Sequence, residues 1–504
     1  MYVSFMWLRH KNFTQDEWGV GHSVIVEQFT GVITSPATIG PFGVGTVLAW
    51  TSPVLPRLTN STEMAYPGPF ISQAEGSWVG SIIALGAIVG SLPASYGADI
   101  IGRKYAIAIL AIPFILSWVM TIVAKSVEVL YIARFIAGGV IGAVTATIPM
   151  YIGEIAETSV RGELGSYIQL MVTLGILYVY VIGTFVDYTT LNICCGIVPV
   201  VFLLIFMVVA PETPTYLVRR NRRKEAERSL LLLRGEEYDI YSELDDIQAQ
   251  LDEQRKRKQS FKVLFTSRAV IRATIAVMGL LSFLSFSGIN VVIFYAKEIF
   301  AKCGTNIDPN YSSIIIGSLQ VIMTYLSGLL VDRTGRRVLL LVSDSIMAVC
   351  LLALGAFFYA KEQGYDVSDV TWVPLVSLSI YISVFSLGFG PIPGIMMGEL
   401  FSPEAKGVAL GIVCILASLL EFIVVKGFHN LKDWFDFGIS FWIFAGNCML
   451  GTLFVYFLVP ETKNKSLTQI QDELSGAKKN RKKKKGGKNK KRSIVTNSGN
   501  MNMV

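Results

Sequence analysis

About a dozen windows of roughly 20 mostly apolar residues recur along this chain, each long enough to cross a bilayer core as a helix. They lie near 28–52, 76–97, 105–124, 128–152, 162–186, 192–210, 270–300, 311–331, 338–360, 371–397, 407–428 and 437–459. Of the 504 residues, 52% are hydrophobic and only 16% charged, with a mean hydropathy of +0.53. A water-soluble core cannot hide that much apolar surface, so the expected class is an all-α membrane protein.

Lys and Arg set the orientation, because positively charged loops stay on the cytoplasmic side. Arg103 and Lys104 follow span two, Arg161 follows span four, the segment 219–272 follows span six, and Arg333, Arg336 and Arg337 follow span eight. These loops and both termini are expected to be cytoplasmic, in a multi-pass protein of the cell membrane. The opposite loops carry the glycosylation patterns Asn60-Ser61-Thr62 and Asn310-Tyr311-Ser312. No cleavable leader is expected in the polar stretch MWLRHKNFTQDEW, so the first span does the targeting. The six Cys and three His show no metal-type spacing. Neither a metal, a cofactor nor an enzymatic centre is expected.

Three motifs occur twice. DIIGRK (99–104) after span two returns as DRTGRR (332–337) after span eight. Glu154, seven residues before Arg161-Gly162, returns as Glu399, seven before Lys406-Gly407. Pro211-Glu212-Thr213 returns as Pro460-Glu461-Thr462. The shared order predicts two six-helix halves, the plan of carriers whose halves rock around a midplane site. The expected divisions are an N-terminal segment 1–27, a first half 28–210, a helical linker 211–269, a second half 270–459 and a basic tail 460–504.

These repeats, with YIARFIAGG (131–139), PMYIGEIAETSVRGELGS (149–166), PETPTYL (211–217), SGINVVIFYA (287–296), GFGPIPG (388–394) and PETKNKSL (460–467), resemble the sugar porters of the major facilitator superfamily. TSPVLPRL near span one, FIVVKGF (422–428) and SLTQIQDELSG (466–476) are most similar to the insect trehalose-transporter branch. The resemblance implies twelve helices in two pseudo-symmetric halves, and sugar as the solute.

Carboxylates and guanidinium groups at the ends of adjacent helices form charge-assisted hydrogen bonds. Asp99, Arg103, Glu154, Arg161, Asp332, Arg336, Arg337 and Glu399 are therefore expected to latch the halves on the cytoplasmic side, a role the resemblance also implies. The competing reading makes them solvated loop charges. A neutral polyol calls for uncharged donors and acceptors, and Gln169, Ser287, Asn290 and Gln320 supply these inside spans five, seven and eight. The resemblance places sugar-contacting amides at Gln169, Asn290 and Gln320; the alternative is that they bond neighbouring helices. Gly288 is expected to let span seven bend or pack closely.

The departures from the family pattern concern the same pocket. Sugar porters usually carry a Gln pair where this chain has Leu284-Ser285, a second span-five Gln where it has Tyr180, and a Trp where it has Gly394. Glu421 stands at a small polar or amide position of span eleven, as a substrate contact, a proton carrier or a group reaching the outer interface. Arg134 in span four would face a span-one acid in proton-coupled relatives, and Val47 occupies that place. The expected function is therefore facilitated, uncoupled transport of a sugar, trehalose or a hexose, by alternating access. The alternatives are a polyol or other non-sugar solute with proton coupling through Glu421, or a non-transporting sugar sensor. The tail 478–492, KKNRKKKKGGKNKKR, can bind anionic inner-leaflet lipid, and nucleic acid is not an expected partner. Oligomeric state is not set by the sequence.

Overall fold

The computed structural model describes residues 36–59, 69–156, 161–235, 238–256, 268–304, 307–401, 403–465 and 467–475. Eleven helical stretches there are long and apolar enough to cross a membrane, and the helical residues 36–59 ahead of them make twelve spans. Spans two to six are Gln73–Ile101, Arg103–Val123, Val127–Ile155, Arg161–Phe185 and Tyr188–Val209. Spans seven to twelve are Arg268–Cys303, Pro309–Thr334, Arg336–Glu362, Ser368–Leu400, Gly411–Leu431 and Trp434–Leu458.

Two spans are broken where the sequence places glycine. Span seven stops at Phe286 and restarts at Ile289, with Gly288 at φ 88°, a left-handed conformation other residues rarely adopt. A Cβ on Gly288 would also stand 2.8 Å from the Phe444 ring, so the glycine serves both the bend and the close packing. Span ten likewise divides into Val373–Leu387 and Ile392–Leu400 around Gly388 and Gly390.

Helices in lipid gain little from hydrophobicity against one another, so close backbone approach matters more. Spans two and four achieve it through paired small residues. A Cβ on Gly138 would lie 2.1 Å from the Ile83 carbonyl oxygen, one on Gly142 2.1 Å from that of Ala87, and one on Gly86 2.1 Å from that of Phe135.

The chain forms two compact units. One comprises Met1–Lys256 with Ile293–Glu298 and Asp308–Val321; the other comprises Arg257–Val292, Ile299–Ile307 and Ile322–Val504. The division at 256 falls inside the expected linker, whose helices Pro214–Arg219, Arg223–Arg234 and Ile240–Lys256 belong to the first unit. Their apolar faces explain this: Tyr216, Leu217, Ala226, Leu230, Leu244 and Leu251 form one buried cluster. Arg234 ties it to span four by donating to the Ile155 carbonyl at 2.9 Å while pairing with Glu243 at 2.8 Å. The assignment of 293–298 and 308–321 to the first unit was not expected from the repeat.

Replacing Gly138 with Val forces a side chain into a neighbouring backbone and should cost at least about 3 kcal/mol. Detergent-solubilised Gly138→Val should lose its monodisperse peak and thermal transition. Gly153→Ala, whose Cβ meets nothing within 4 Å, should retain both.

Candidate functional site

Three amides singled out in the sequence lack hydrogen-bond partners among the described residues. Gln169 is half-buried in span five and Asn290 is half-buried just past the break of span seven; neither side chain makes a hydrogen bond. Gln320 is 2% exposed, and its side-chain oxygen has no donor. An amide bonding a neighbouring helix would show such a partner, since an unmade bond costs about 1–3 kcal/mol in this setting. Ser287 differs: its hydroxyl donates to the Leu284 carbonyl at 2.7 Å, and its own carbonyl accepts from the Tyr381 hydroxyl at 3.0 Å. It secures the break that presents Asn290. Gln169 and Gln320 belong to the first unit, Ser287 and Asn290 to the second.

Glu421, also in the second unit, is half-buried and makes no ion pair or hydrogen bond among the described residues. Among the replaced positions, Gly394 faces open space, with nothing within 4 Å of where a Cβ would sit. Ser285 turns inward and donates to the Leu281 carbonyl at 2.9 Å.

Arg134 is 2% exposed and has no carboxylate in ion-pair reach among the described residues. Its Nη2 donates to the Val47 carbonyl at 2.9 Å, its Nε to the Val79 carbonyl at 3.4 Å, and its guanidinium lies 4.7 Å from the centre of the Trp50 ring. The Trp50 indole is fixed by a 2.6 Å bond to Asn192. Carbonyl dipoles and a ring face thus hold a charge that an acid would otherwise neutralise. The residue at the expected acid position contributes only its backbone.

Tyr180 takes part in a second break. Within the first unit, Tyr295 of span seven has non-helical angles, φ −118° and ψ 18°. In a regular helix the Ile293 carbonyl accepts from the Lys297 N–H. Here the Ile293 carbonyl accepts from the Tyr180 hydroxyl at 2.9 Å, and the Lys297 N–H donates to the Ser52 hydroxyl at 3.2 Å. Spans one and five therefore hold the C-terminal part of span seven by backbone groups at its kink. Sequence reading registered Tyr180 only as a lost amide.

At the ends of spans two, four, eight and ten the charged motifs assemble within each unit. In the first, Arg103 bonds Asp99 at 2.9 Å and Glu154 at 3.0 Å, and Arg219 joins Asp99 at 2.6 Å. In the second, Arg336 pairs with Glu399 at 3.1 Å, and the Arg337 guanidinium donates to the Tyr456 carbonyl. The side chains of Arg161 and Asp332, and all of Asn60 and 478–492, lie outside the described residues. Asn310 is half-buried in the first turn of span eight.

Two carboxylates missed as members of these clusters complete them. Glu212 accepts from the backbone N–H groups of Arg103 and Lys104 at 2.9 and 3.1 Å, and Glu461 from those of Arg336 and Arg337 at 3.1 and 3.0 Å. Each carboxylate meets the N-terminal end of span three or span nine, where a negative charge is favoured. Gly102 and Gly335, at φ 106° and 100°, clear the way: a Cβ would stand 2.2 Å from Glu212 Oε2 and 2.9 Å from Glu461 Oε2. Burial raises the Glu212 carboxyl above its usual range. Burial pushes Glu461 the same way, but its four backbone donors outweigh it and bring the group below the usual range. Its contribution is therefore present at neutral pH and is lost as the pH falls through that lowered value.

Tyr180→Phe removes one donor from a buried carbonyl, a loss of about 1–3 kcal/mol, without changing shape. The variant should fold, and the equilibrium of the 293–298 segment between held and released states should move roughly tenfold toward release. The ratio of influx to efflux KM should change accordingly; an unchanged ratio would show that the bond is idle.

A family model described as "Sugar (and other) transporter" matches residues 43–474. A "Facilitated trehalose transporter Tret1-2 homolog" of Drosophila simulans is 38% identical over 436 residues, 86% of this chain and 88% of that protein. The Bombyx mori "Facilitated trehalose transporter Tret1" is 37% identical over 439 residues, 87% and 85% of the two chains. The Drosophila mojavensis Tret1 is 36% identical over 440 residues, which are 87% of this chain and only 50% of that protein, so the chain spans about half its length. Among solved structures, the proton:xylose symporter XylE bound to 6-bromo-6-deoxy-D-glucose matches with a TM-score of 0.71 at 26% identity, over 89% of this chain and 99% of that one. Fold, motifs and relatives agree: the chain belongs to the sugar porter family of the major facilitator superfamily, in the branch of the insect trehalose transporters.

Proposed function

We propose that the protein is a facilitative carrier that moves a sugar, trehalose or a hexose, across the cell membrane by alternating access. The observation that carries this reading is the set of amides without partners among the described residues, Gln169, Asn290 and Gln320. Each offers both a donor and an acceptor, which suits a hydroxyl of a neutral sugar without the cost of burying an ion. Arg134 supports the uncoupled mechanism, because Val47 answers it with a carbonyl that cannot take up or release a proton. The open space at Gly394 supports a cargo larger than a monosaccharide.

The positive loops support cytoplasmic termini, with Asn60 and Asn310 as outward glycosylation sites and the 478–492 tail on anionic inner-leaflet lipid. The halves 28–210 and 270–459 are the rocking bodies, and the charge clusters at their cytoplasmic ends are the gating network. Glu421, an acid without a partner among the described residues, favours a second reading: a polyol or other solute moved with a proton that Glu421 carries.

Proteoliposomes offered labelled trehalose, glucose, fructose and polyols separate these readings. Trehalose uptake should saturate, and Asn290→Ala and Gln169→Ala should each raise KM about five- to tenfold for one lost hydrogen bond. Gly394→Trp should depress trehalose uptake more than glucose uptake. Unchanged KM in both amide variants would place the sugar elsewhere. Uptake accelerated by an inward proton gradient, and insensitive to it in Glu421→Gln, would establish the second reading.

A further inference from the structure

Span nine carries an acid that the transport reading does not use. Asp344 is 1% exposed and lies eight residues into span nine from Arg336, about 12 Å along the axis at ~1.5 Å per residue. Among the described residues it has no ion pair. The groups facing it are few. From span twelve, the Thr452 hydroxyl approaches Oδ2 at 3.4 Å, and the Cys448 thiol lies within electrostatic reach of the carboxyl. From span ten, Tyr381 is within electrostatic reach; Cys350 on span nine itself acts on that same tyrosine. From span seven comes only the apolar Phe283, packed beside Gly451. Gly451 makes the room, since a Cβ there would stand 2.4 Å from Asp344 Oδ2.

We propose that Asp344 is a proton-binding site whose occupancy governs the hinge of span seven. A carboxylate stripped of water, answered by one long hydroxyl contact and a thiol, is far more costly than the neutral acid. Arg134 is the instructive contrast, because there two carbonyls and a ring face receive the charge. Among the described residues no cation faces Asp344 to do the same. Its surroundings lead directly to the hinge. The Tyr381 hydroxyl holds the Ser287 carbonyl at 3.0 Å, and Asn447 of span twelve donates to the Phe283 carbonyl at 3.2 Å. The bonds of both residues fall on the segment that breaks between Phe286 and Ile289 and presents Asn290. Loss of the proton sets a charge against the tyrosine that fixes this break. The proton is bound and released without being carried, so this site goes beyond facilitated transport and does not alter it; only the flux assay below rests on that reading.

The test uses proteoliposomes with the same pH on both faces, so that no gradient drives flux. From mildly acidic to mildly alkaline pH, wild-type trehalose uptake should fall severalfold. In Asp344→Asn, a permanent mimic of the neutral acid, the rate should no longer depend on pH, and in Glu421→Gln the relative fall should match wild type. A flat wild-type profile, a fall preserved in Asp344→Asn, or a profile flattened by Glu421→Gln would each overturn the proposal. A flux-independent readout is the infrared carbonyl band of a protonated carboxylic acid in a protein carrying both Glu421→Gln and Glu212→Gln, which removes the other two buried acids that could give it. It should be present near neutral pH and disappear as the pH rises, and its absence near neutral pH would overturn the proposal even if Asp344→Asn fails to fold. No sugar flux at any pH, with that band present, would sink the transport reading and leave the proton site standing.

Discussion

Inside a bilayer a polar group has no water to turn to, so each must find its partner within the protein or be left for a substrate to satisfy. Most of the interior obeys the first alternative. Arg134 spreads its charge over the Val47 and Val79 carbonyls and the Trp50 ring, and Ser287 and Tyr381 close the open turn of span seven. The kink at Tyr295 is met by hydroxyls of Ser52 and Tyr180. Against that background the side chains of Gln169, Asn290 and Glu421 stand out because nothing among the described residues answers them.

The same constraint explains the doubled motifs. A helix that begins at the membrane surface exposes N–H groups that need an acceptor. Glu212 supplies it to span three and Glu461 to span nine, each across a glycine in a left-handed conformation that leaves space for the carboxylate. The arginine that follows each glycine then reaches the acid at the end of span four or span ten, Glu154 or Glu399. Glycine, arginine and two carboxylates form one repeated structural unit, which is why three separated motifs recur in the same order.

Much of the fold was legible because window length and hydropathy decide a membrane helix almost alone, and the repeat supplied the architecture. Val47 opposite Arg134 was also legible, since it follows from aligning one helix. The role of Glu212 and Glu461 was hidden, because the sequence marks them as repeats without showing that the chain turns back onto spans three and nine. Tyr180 reads in the sequence as a lost amide, and its partner depends on a kink at Tyr295 that no glycine or proline announces. Asp344 is hidden in the sequence because a single acid does not interrupt a long apolar window, and its isolation depends on what spans seven, ten and twelve turn toward it. The assignment of 293–298 and 308–321 to the first unit likewise arises from tertiary packing that the repeat cannot encode.

On the proposed reading, sugar crosses without a coupled proton, with Arg134 held by the Val47 and Val79 carbonyls. Its most direct test is the steady-state ratio of internal to external labelled trehalose in proteoliposomes, with and without an imposed inward proton gradient. A ratio of one is expected in both cases, with only the time to reach it free to vary. Accumulation above the external concentration under the gradient would contradict it.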